Sequence, residues 1–374
     1  MTYLNVDEIS AALQSLAVAY PGAAELITCP NLTHEGRPVH VLRIGTSGSS
    51  DVDGVLLLGG VHAREWVPPD ALVSLAADLL EAHQRGTGLA YGGQQFSAAD
   101  VGRIVSGVNL FVVACVNPDG RRHSQTADPM WRKNRRPHQN GGSCVGVDLN
   151  RNFDFLWDHV AKFAADSGVR TSTNPCDRDV YRGPAPASEP ETRDIVWLLD
   201  SFPLIRWHID VHSAVPVILH SWGSDQNQTT QPAQNFLATA FDQVRGRPDD
   251  NAYREFITQA DLDVITALST RMKEAVRAVR GDDYAVEQAY GLYPTSGASD
   301  DYAFSRHAAS PGQGKVYGFC IECGHTFQPA WREAEHVIRE VSSAMVAFCA
   351  AVSTVSPLSA SNPADSIALV RQSP

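Results

Sequence analysis

Near-continuous apolar runs mark most of the strands of this chain. Residues 39–45 (VHVLRIG), 54–60 (GVLLLGG), 109–116 (NLFVVACV), 205–212 (IRWHIDVH), 216–221 (PVILHS) and 315–322 (KVYGFCIE) are rich in apolar residues, with Val, Ile and Leu prominent. Such runs predict strands covered on both faces, as in α/β proteins. Between them, the patterning predicts helices over 7–19, 69–84, 189–201, 232–244, 261–279 and 330–351. Pro68 and Pro69 suit the first turn of the second helix. No internal repeat and no linker-like stretch divides the chain, which reads as one α/β domain. The segment SPLSASNPADS, from Ser356, changes to small polar residues and proline, and predicts a tail that frays or drapes over the surface.

Composition narrows the partners without naming a substrate. A chain of 374 residues with 43% hydrophobic content can build a sizeable core, and a net charge of −12 argues against nucleic acid or an anionic membrane as the main partner. No apolar run approaches the ~18 residues of a transmembrane helix. The N-terminal MTYLNVDEIS lacks the basic start and apolar stretch of a signal peptide. The expectation is a soluble, cytoplasmic protein, or a secreted one if a leader has been removed. Seven cysteines do not suggest a disulfide scaffold. Cys320 and Cys323 form a C-x-x-C, but on a strand residues three apart face opposite ways, so two buried core thiols are expected rather than a metal or redox pair.

The stretch LLLGGVHAREWVPP, from Leu56 to Pro69, brings chemistry to the end of a strand. In open α/β sheets functional groups gather beyond the carboxyl ends of strands. His62 and Glu65 stand there with H-x-x-E spacing, close enough for a tight turn to aim both at one ion. Imidazole nitrogen and carboxylate oxygen are zinc ligands, and a hydrolytic zinc site wants three protein ligands and an open position. Alone the pair is weak evidence, since Glu65 could pair with Arg64 while His62 caps the strand. A third candidate lies in IRWHIDVHS, where His208, Asp210 and His212 share one face of a strand. His212, at the strand end, is best placed; His208 lies deeper and suits the core or a supporting role.

At this point the chain resembles a family. GGVHAREWV, NPDG, MWRKNRR, GVDLNRNFD, HIDVHS, LYPTSGASDDYAF and GFCIECG are similar, in order and rough spacing, to the motifs of the M14 zinc metallocarboxypeptidases of the carboxypeptidase A/B type. The resemblance runs from near residue 7 to near residue 351. It implies a single α/β/α domain around a mixed, eight-stranded twisted sheet, with residues 1–352 as the catalytic domain and 353–374 as a polar tail. It also implies one zinc held by His62, Glu65 and His212, with Asp148 orienting the first histidine. Glu322 matches the general base and Arg132 the guanidinium that polarises the scissile carbonyl. Asn150 and Arg151 match the pair that grips the substrate's terminal carboxylate, Tyr293 the residue that closes over it, and Arg64 an arginine further along the groove. Cys144 and Cys176 fall where relatives carry a disulfide. Asp300 falls at the floor of the pocket for the departing side chain, where a carboxylate implies a preference for Lys or Arg, although Gln288 nearby could shorten that pocket.

The residue types fit the reaction so implied. Recognising a free C-terminus calls for a planar guanidinium, and amide hydrolysis calls for an activated water and positive charge where the oxyanion develops. Taken singly, Arg132 could be part of a solvated basic run, Glu322 a structural acid, and Asp300 a loop charge or helix-start acid. The chain departs from the digestive enzymes at Ala214, where tyrosine is common, at Pro129, where a second arginine is expected, in the longer segment 223–260, and at Cys323-Gly324-His325. The expected partners are peptide or protein C-termini, with neither nucleic acid nor membrane, and the chain is expected to be a monomer. Two rivals are a zinc deacylase or cell-wall amidase on the same scaffold, and a non-catalytic peptide binder. The second is disfavoured because every ligand and the base are present.

Overall fold

A computed structural model describes residues 2–354, apart from 49, 139–141, 249 and 311; most of the 353–374 tail lies outside the described residues. An eight-stranded sheet forms the centre, built from β1 (Ala24–Leu32), β2 (Pro38–Ile44), β3 (Gly54–Gly59), β4 (Asn109–Val113), β5 (Ile205–His212), β6 (Val217–His220), β7 (Ala285–Gln288) and β8 (Tyr317–Glu322). The spatial order is β1-β2-β4-β3-β5-β8-β6-β7. The four central strands β4, β3, β5 and β8 run parallel, while β2 joins β4 and β6 joins β8 antiparallel. The sheet is thus mixed, as the resemblance implied.

The central apolar runs are covered on both faces, whereas β2 leaves His40 and Arg43 partly exposed. Every residue of β3 and β4 is buried. Alternate side chains feed different layers: Leu57, Val112, Ile209 and Ile321 join a core with the helices Val67–Arg85, Gln259–Arg280 and Trp331–Val352. Leu56, Leu58 and Val113 face the other way, against Ile195 and Leu198 of the helix Pro190–Ser201 and Ala303 of the helix Ser299–Ala309. Cys320 and Cys323 are both free and buried, and they sit in different clusters, as opposite-facing positions require.

Five predicted helices are present with ends shifted by at most two residues, but 232–244 is not a helix. It forms turns with a single 3-10 turn at Thr239–Phe241. The cause is a buried polar cluster: the Arg245 guanidinium takes the carbonyls of Phe236 and Ala238 at 3.3 and 2.6 Å, and the Glu255 carboxylate takes the Phe236 N–H at 2.9 Å. Those backbone groups are therefore satisfied outside any helix. The segment 223–260 also holds a short parallel pairing of Gln228–Thr229 with Glu255–Phe256. Elements not predicted include β1, β7 and the helices Ala98–Gly107, Pro118–Thr126 and Ser299–Ala309. No described helix is long and apolar enough to cross a membrane.

Candidate active site

The carboxyl ends of β3 and β5 place the first three side chains. After β3 the chain turns at Gly60, whose φ of +65° suits glycine. A turn closed by the Glu65 N–H on the His62 carbonyl then leads into the helix at Val67. His62 and Glu65 emerge on the same side, His62 Nδ1 lying 2.8 Å from Glu65 Oε1. His212, the last residue of β5, brings its Nδ1 to 2.9 Å from His62 Nδ1 and 3.1 Å from Glu65 Oε2. All three are buried.

Each histidine is held by a carboxylate on its other nitrogen. His62 Nε2 lies 3.2 Å from Asp148 Oδ1, and His212 Nε2 lies 3.0 Å from Asp210 Oδ2. Assigned from these partners, the Nε2 positions carry the protons and both Nδ1 lone pairs face one point. Two nitrogen lone pairs 2.9 Å apart beside a carboxylate repel unless a cation lies between them. The donor set of two imidazoles and one carboxylate matches a catalytic metal site. The three residues can therefore hold a metal ion.

A second cluster, His34 with Glu189 and Glu191, also converges. Its carboxylates are already engaged: Glu189 takes Arg136 at 2.7 Å and Asn134 at 2.8 Å, and Glu191 takes Asn134 at 3.1 Å. The cation that Glu189 needs is supplied by Arg136, which makes this a structural knot beside the Arg136 loop.

Asp148 is the hub of the first cluster. It caps the 3-10 turn Leu149–Arg151, taking the Asn150 N–H at 3.0 Å, and its other oxygen accepts Arg132 Nε at 3.1 Å and Nη2 at 3.0 Å. Burial works against its charge, but Arg132 and His62 hold the carboxyl well below the ordinary aspartate range. Arg132 is buried rather than on a solvated basic face. Its loop is tied to the turn by the Ala63 N–H on the Arg132 carbonyl.

Glu322 ends β8 and lies directly beside His212 in the parallel register. Burial first, then the charge of Glu65, pushes its carboxyl up to about 7, against the pull of His212 and Arg132. A cation at the cluster would draw that value back down. Arg151 donates Nε to the Arg170 carbonyl and Nη1 to the Asn150 carbonyl, while its buried Nη2 has no partner. Tyr293 stands between two guanidinium groups, 5.7 Å from Arg151 and 5.1 Å from Arg170. Arg64 lies further out, bonded to Asp179 at 3.0 Å and stacked 4.5 Å over Phe327. Cys144 and Cys176 are joined by a disulfide across the strip that carries Asp148, Asn150 and Arg151.

Asp300 is buried in the first turn of the helix Ser299–Ala309, so it is a helix-start acid and not a solvated charge. Burial, then Asp210, raises its carboxyl above the ordinary range despite backbone N–H groups that lower it. Neighbouring Asp301 is occupied by the Gly223 N–H at 2.9 Å. Gln288 donates to the Trp222 carbonyl at 2.8 Å, which fixes its side chain on the 222–225 backbone. Asp210, Ser299 and Arg170 complete this neighbourhood, and sequence reasoning gave none of them a role. Only Asp210 carried a signal, through its shared strand face with His212.

The zinc carboxypeptidase family model matches residues 9–344. The chain belongs to the zinc carboxypeptidase family. It is thereby an enzyme of a metallopeptidase group of hydrolases. It is 30% identical over 328 residues to carboxypeptidase B of Astacus astacus, covering 87% of each chain. Against carboxypeptidase A1 of Rattus norvegicus it is 30% identical over 330 residues, and spans 87% of this chain but 63% of the rat protein. Among solved structures it is similar to bovine thrombin-activatable fibrinolysis inhibitor in complex with tick carboxypeptidase inhibitor, with a TM-score of 0.70 and 20% identity over 94% of this chain and 97% of that one. Carboxypeptidase A of Helicoverpa armigera gives a TM-score of 0.70 at 22% identity, covering 94% and 74%. At these identities the structural likeness speaks for the fold.

Proposed function

We propose that this protein is a zinc-dependent metallocarboxypeptidase that removes one residue from the C-terminus of peptides, with preference for Arg or Lys. The observation that carries the reading is the convergence of His62 Nδ1, Glu65 and His212 Nδ1 beside Glu322 and an arginine, Arg151, whose buried Nη2 has no partner. A buried unpaired guanidinium N–H is costly unless an anion completes it, and a substrate's terminal carboxylate is such an anion. Arg151 and Asn150 hold that carboxylate, and Tyr293 packs over the clamp. Arg132 faces the scissile carbonyl and stabilises the oxygen as it gains charge. The Glu322 carboxylate takes the proton of the attacking water and delivers it to the leaving nitrogen. His62, Glu65 and His212 would hold the zinc, which would supply Lewis acidity able to lower the pKa of a water towards about 7. Arg64 binds further along the substrate, and Asp300 receives a cationic side chain.

The catalytic unit is residues 1–352, acting as a monomer on peptide or protein C-termini without nucleic acid or membrane. The Cys144–Cys176 bond favours an oxidising compartment. The test is metal content together with release of free amino acids from a peptide library, for wild type and His212→Ala. One zinc per chain, lost along with hydrolysis in the variant, is the expected result. Stoichiometric zinc and full rate in His212→Ala would refute the ligand set, and release of acyl groups without amino acids would favour a deacylase.

A further inference from the structure

We infer that Asp210 and Ser299 are positioning residues that fix the third ligand, His212, and set it in register with the carboxylate clamp. The inference rests on the metal reading above. Asp210 lies two residues before His212 on β5, on the same face of the strand. Its Oδ2 accepts from two donors, His212 Nε2 at 3.0 Å and Ser299 Oγ at 2.6 Å. The first bond decides the tautomer: with the proton held on Nε2, Nδ1 keeps its lone pair for an ion. Asp148 does the same for His62, so both imidazoles of the cluster lean on a buried carboxylate.

Ser299 is what holds Asp210 in that pose. Its hydroxyl has one proton, given to Asp210, so the 3.3 Å contact with His208 Nε2 requires His208 to donate. Burial depresses His208 to a pKa of about 4 and keeps it a neutral donor. The Ser299 backbone N–H meanwhile donates to Asn150 Oδ1 at 2.8 Å. That bond turns the Asn150 amide so that Nδ2 stands 3.5 Å from His212 Nε2, a contact between two donors rather than a bond. One residue thus indexes the ligand through its side chain and the clamp through its backbone. The helix that begins at Ser299 is pressed onto β8, so closely that a Cβ at Gly318 would collide with the Asp300 carbonyl. A glycine at 318 is what lets Ser299 reach the strand face.

The experiment is zinc titration of chelator-stripped full-length protein, read by competition with a chromophoric chelator. Loss of an outer carboxylate of this kind weakens metal binding by about 10–100-fold, and Asp210→Asn is expected to raise the zinc Kd by that factor. Ser299→Ala should raise it less, and Ser299→Thr, which keeps the hydroxyl, should restore it; a merely structural role would show no such rescue. A Kd for Asp210→Asn within about twofold of wild type overturns the inference while leaving the metal reading intact. Wild type that binds no zinc overturns both. If Asp210→Asn fails to fold, the Ser299 pair decides, and equal affinity for Ser299→Ala and wild type refutes the claim.

Discussion

Replacing Asp300 by alanine should cost substrates ending in Lys or Arg far more than substrates ending in Phe or Leu. Asp300 is 5% exposed, and burial already holds its carboxyl above the ordinary aspartate range. Its neighbours give it little relief, since Asp210 adds repulsion and is itself committed to His212. A buried carboxylate in this position gains most from an incoming cation. Truncating one partner of such a desolvated pair costs about 2–5 kcal/mol. At about 1.4 kcal/mol per decade, the variant should lose roughly 30-fold to several-thousand-fold in kcat/KM on Lys and Arg substrates. The assay compares kcat/KM for matched peptides ending in Arg, Lys, Phe and Leu. Because the folded pKa is raised, the wild-type preference should also fade as pH falls through it and the carboxyl takes up a proton. Equal losses on all four substrates would make Asp300 a packing residue, and a wild type that favours Phe or Leu would refute the pocket assignment outright.

Three further outcomes are expected. Arg132→Ala should lower kcat by about 10²–10³, with KM moving less, as for other oxyanion donors; a KM that rises with kcat untouched would assign Arg132 to ground-state binding. Glu255 is buried, which pushes its carboxyl from 4.5 to about 8 against the lowering influence of Tyr253 and Arg245, so the folded state holds a proton that the unfolded state releases. Stability from this group is present below pH 4.5 and is lost as pH rises towards 8, at up to about 1.4 kcal/mol per pH unit. Denaturant melts at pH 6 and 8.5 should therefore show Glu255→Gln gaining on wild type with pH, and parallel curves would refute the reading. Cleaving the Cys144–Cys176 bond, which closes a separation of 32 residues, should cost roughly 3–4 kcal/mol; a Cys144 that alkylates in freshly purified, unreduced protein would show that the bond does not form.

What could be read from sequence follows from how each element is buried. β3 and β4 lie in the sheet interior with both faces apolar, and β5 and β8 each keep one apolar face, Trp207, Ile209 and Val211 on the first and Tyr317, Phe319 and Ile321 on the second, so their runs stand out. β1 and β7 are the edges, half-exposed and carrying Glu25, Pro30, Asn31 and Glu287, so their composition resembles loops. The helix Ser299–Ala309 starts with Ser299, Asp300 and Asp301, all buried, so its first turn carries no apolar stripe to read. The 232–244 error has the same origin, since Arg245 and Glu255 reach that backbone from further along the chain.

The candidate site divides along the same line. Ligands placed by strand ends, His62, Glu65 and His212, follow from local spacing and the habit of open sheets to collect chemistry at their carboxyl ends. Asp148 lies 86 residues from His62 and was accessible only through resemblance to a family. Asp210 lies two residues from His212, on a face the strand period already defines, yet its role depends on Ser299, 89 residues further on. Without that hydroxyl and the helix seated on Gly318, a buried carboxylate beside a histidine reads equally well as a plain ion pair. Alternation puts Asp210 on the right face; only the packing of the helix against β8 gives that carboxylate its second donor and so a fixed direction. If Asp210 and Ser299 act as inferred, the two histidines of the cluster are held by the same chemistry drawn from different sources, one from a loop capped by Asp148 and one from the strand itself.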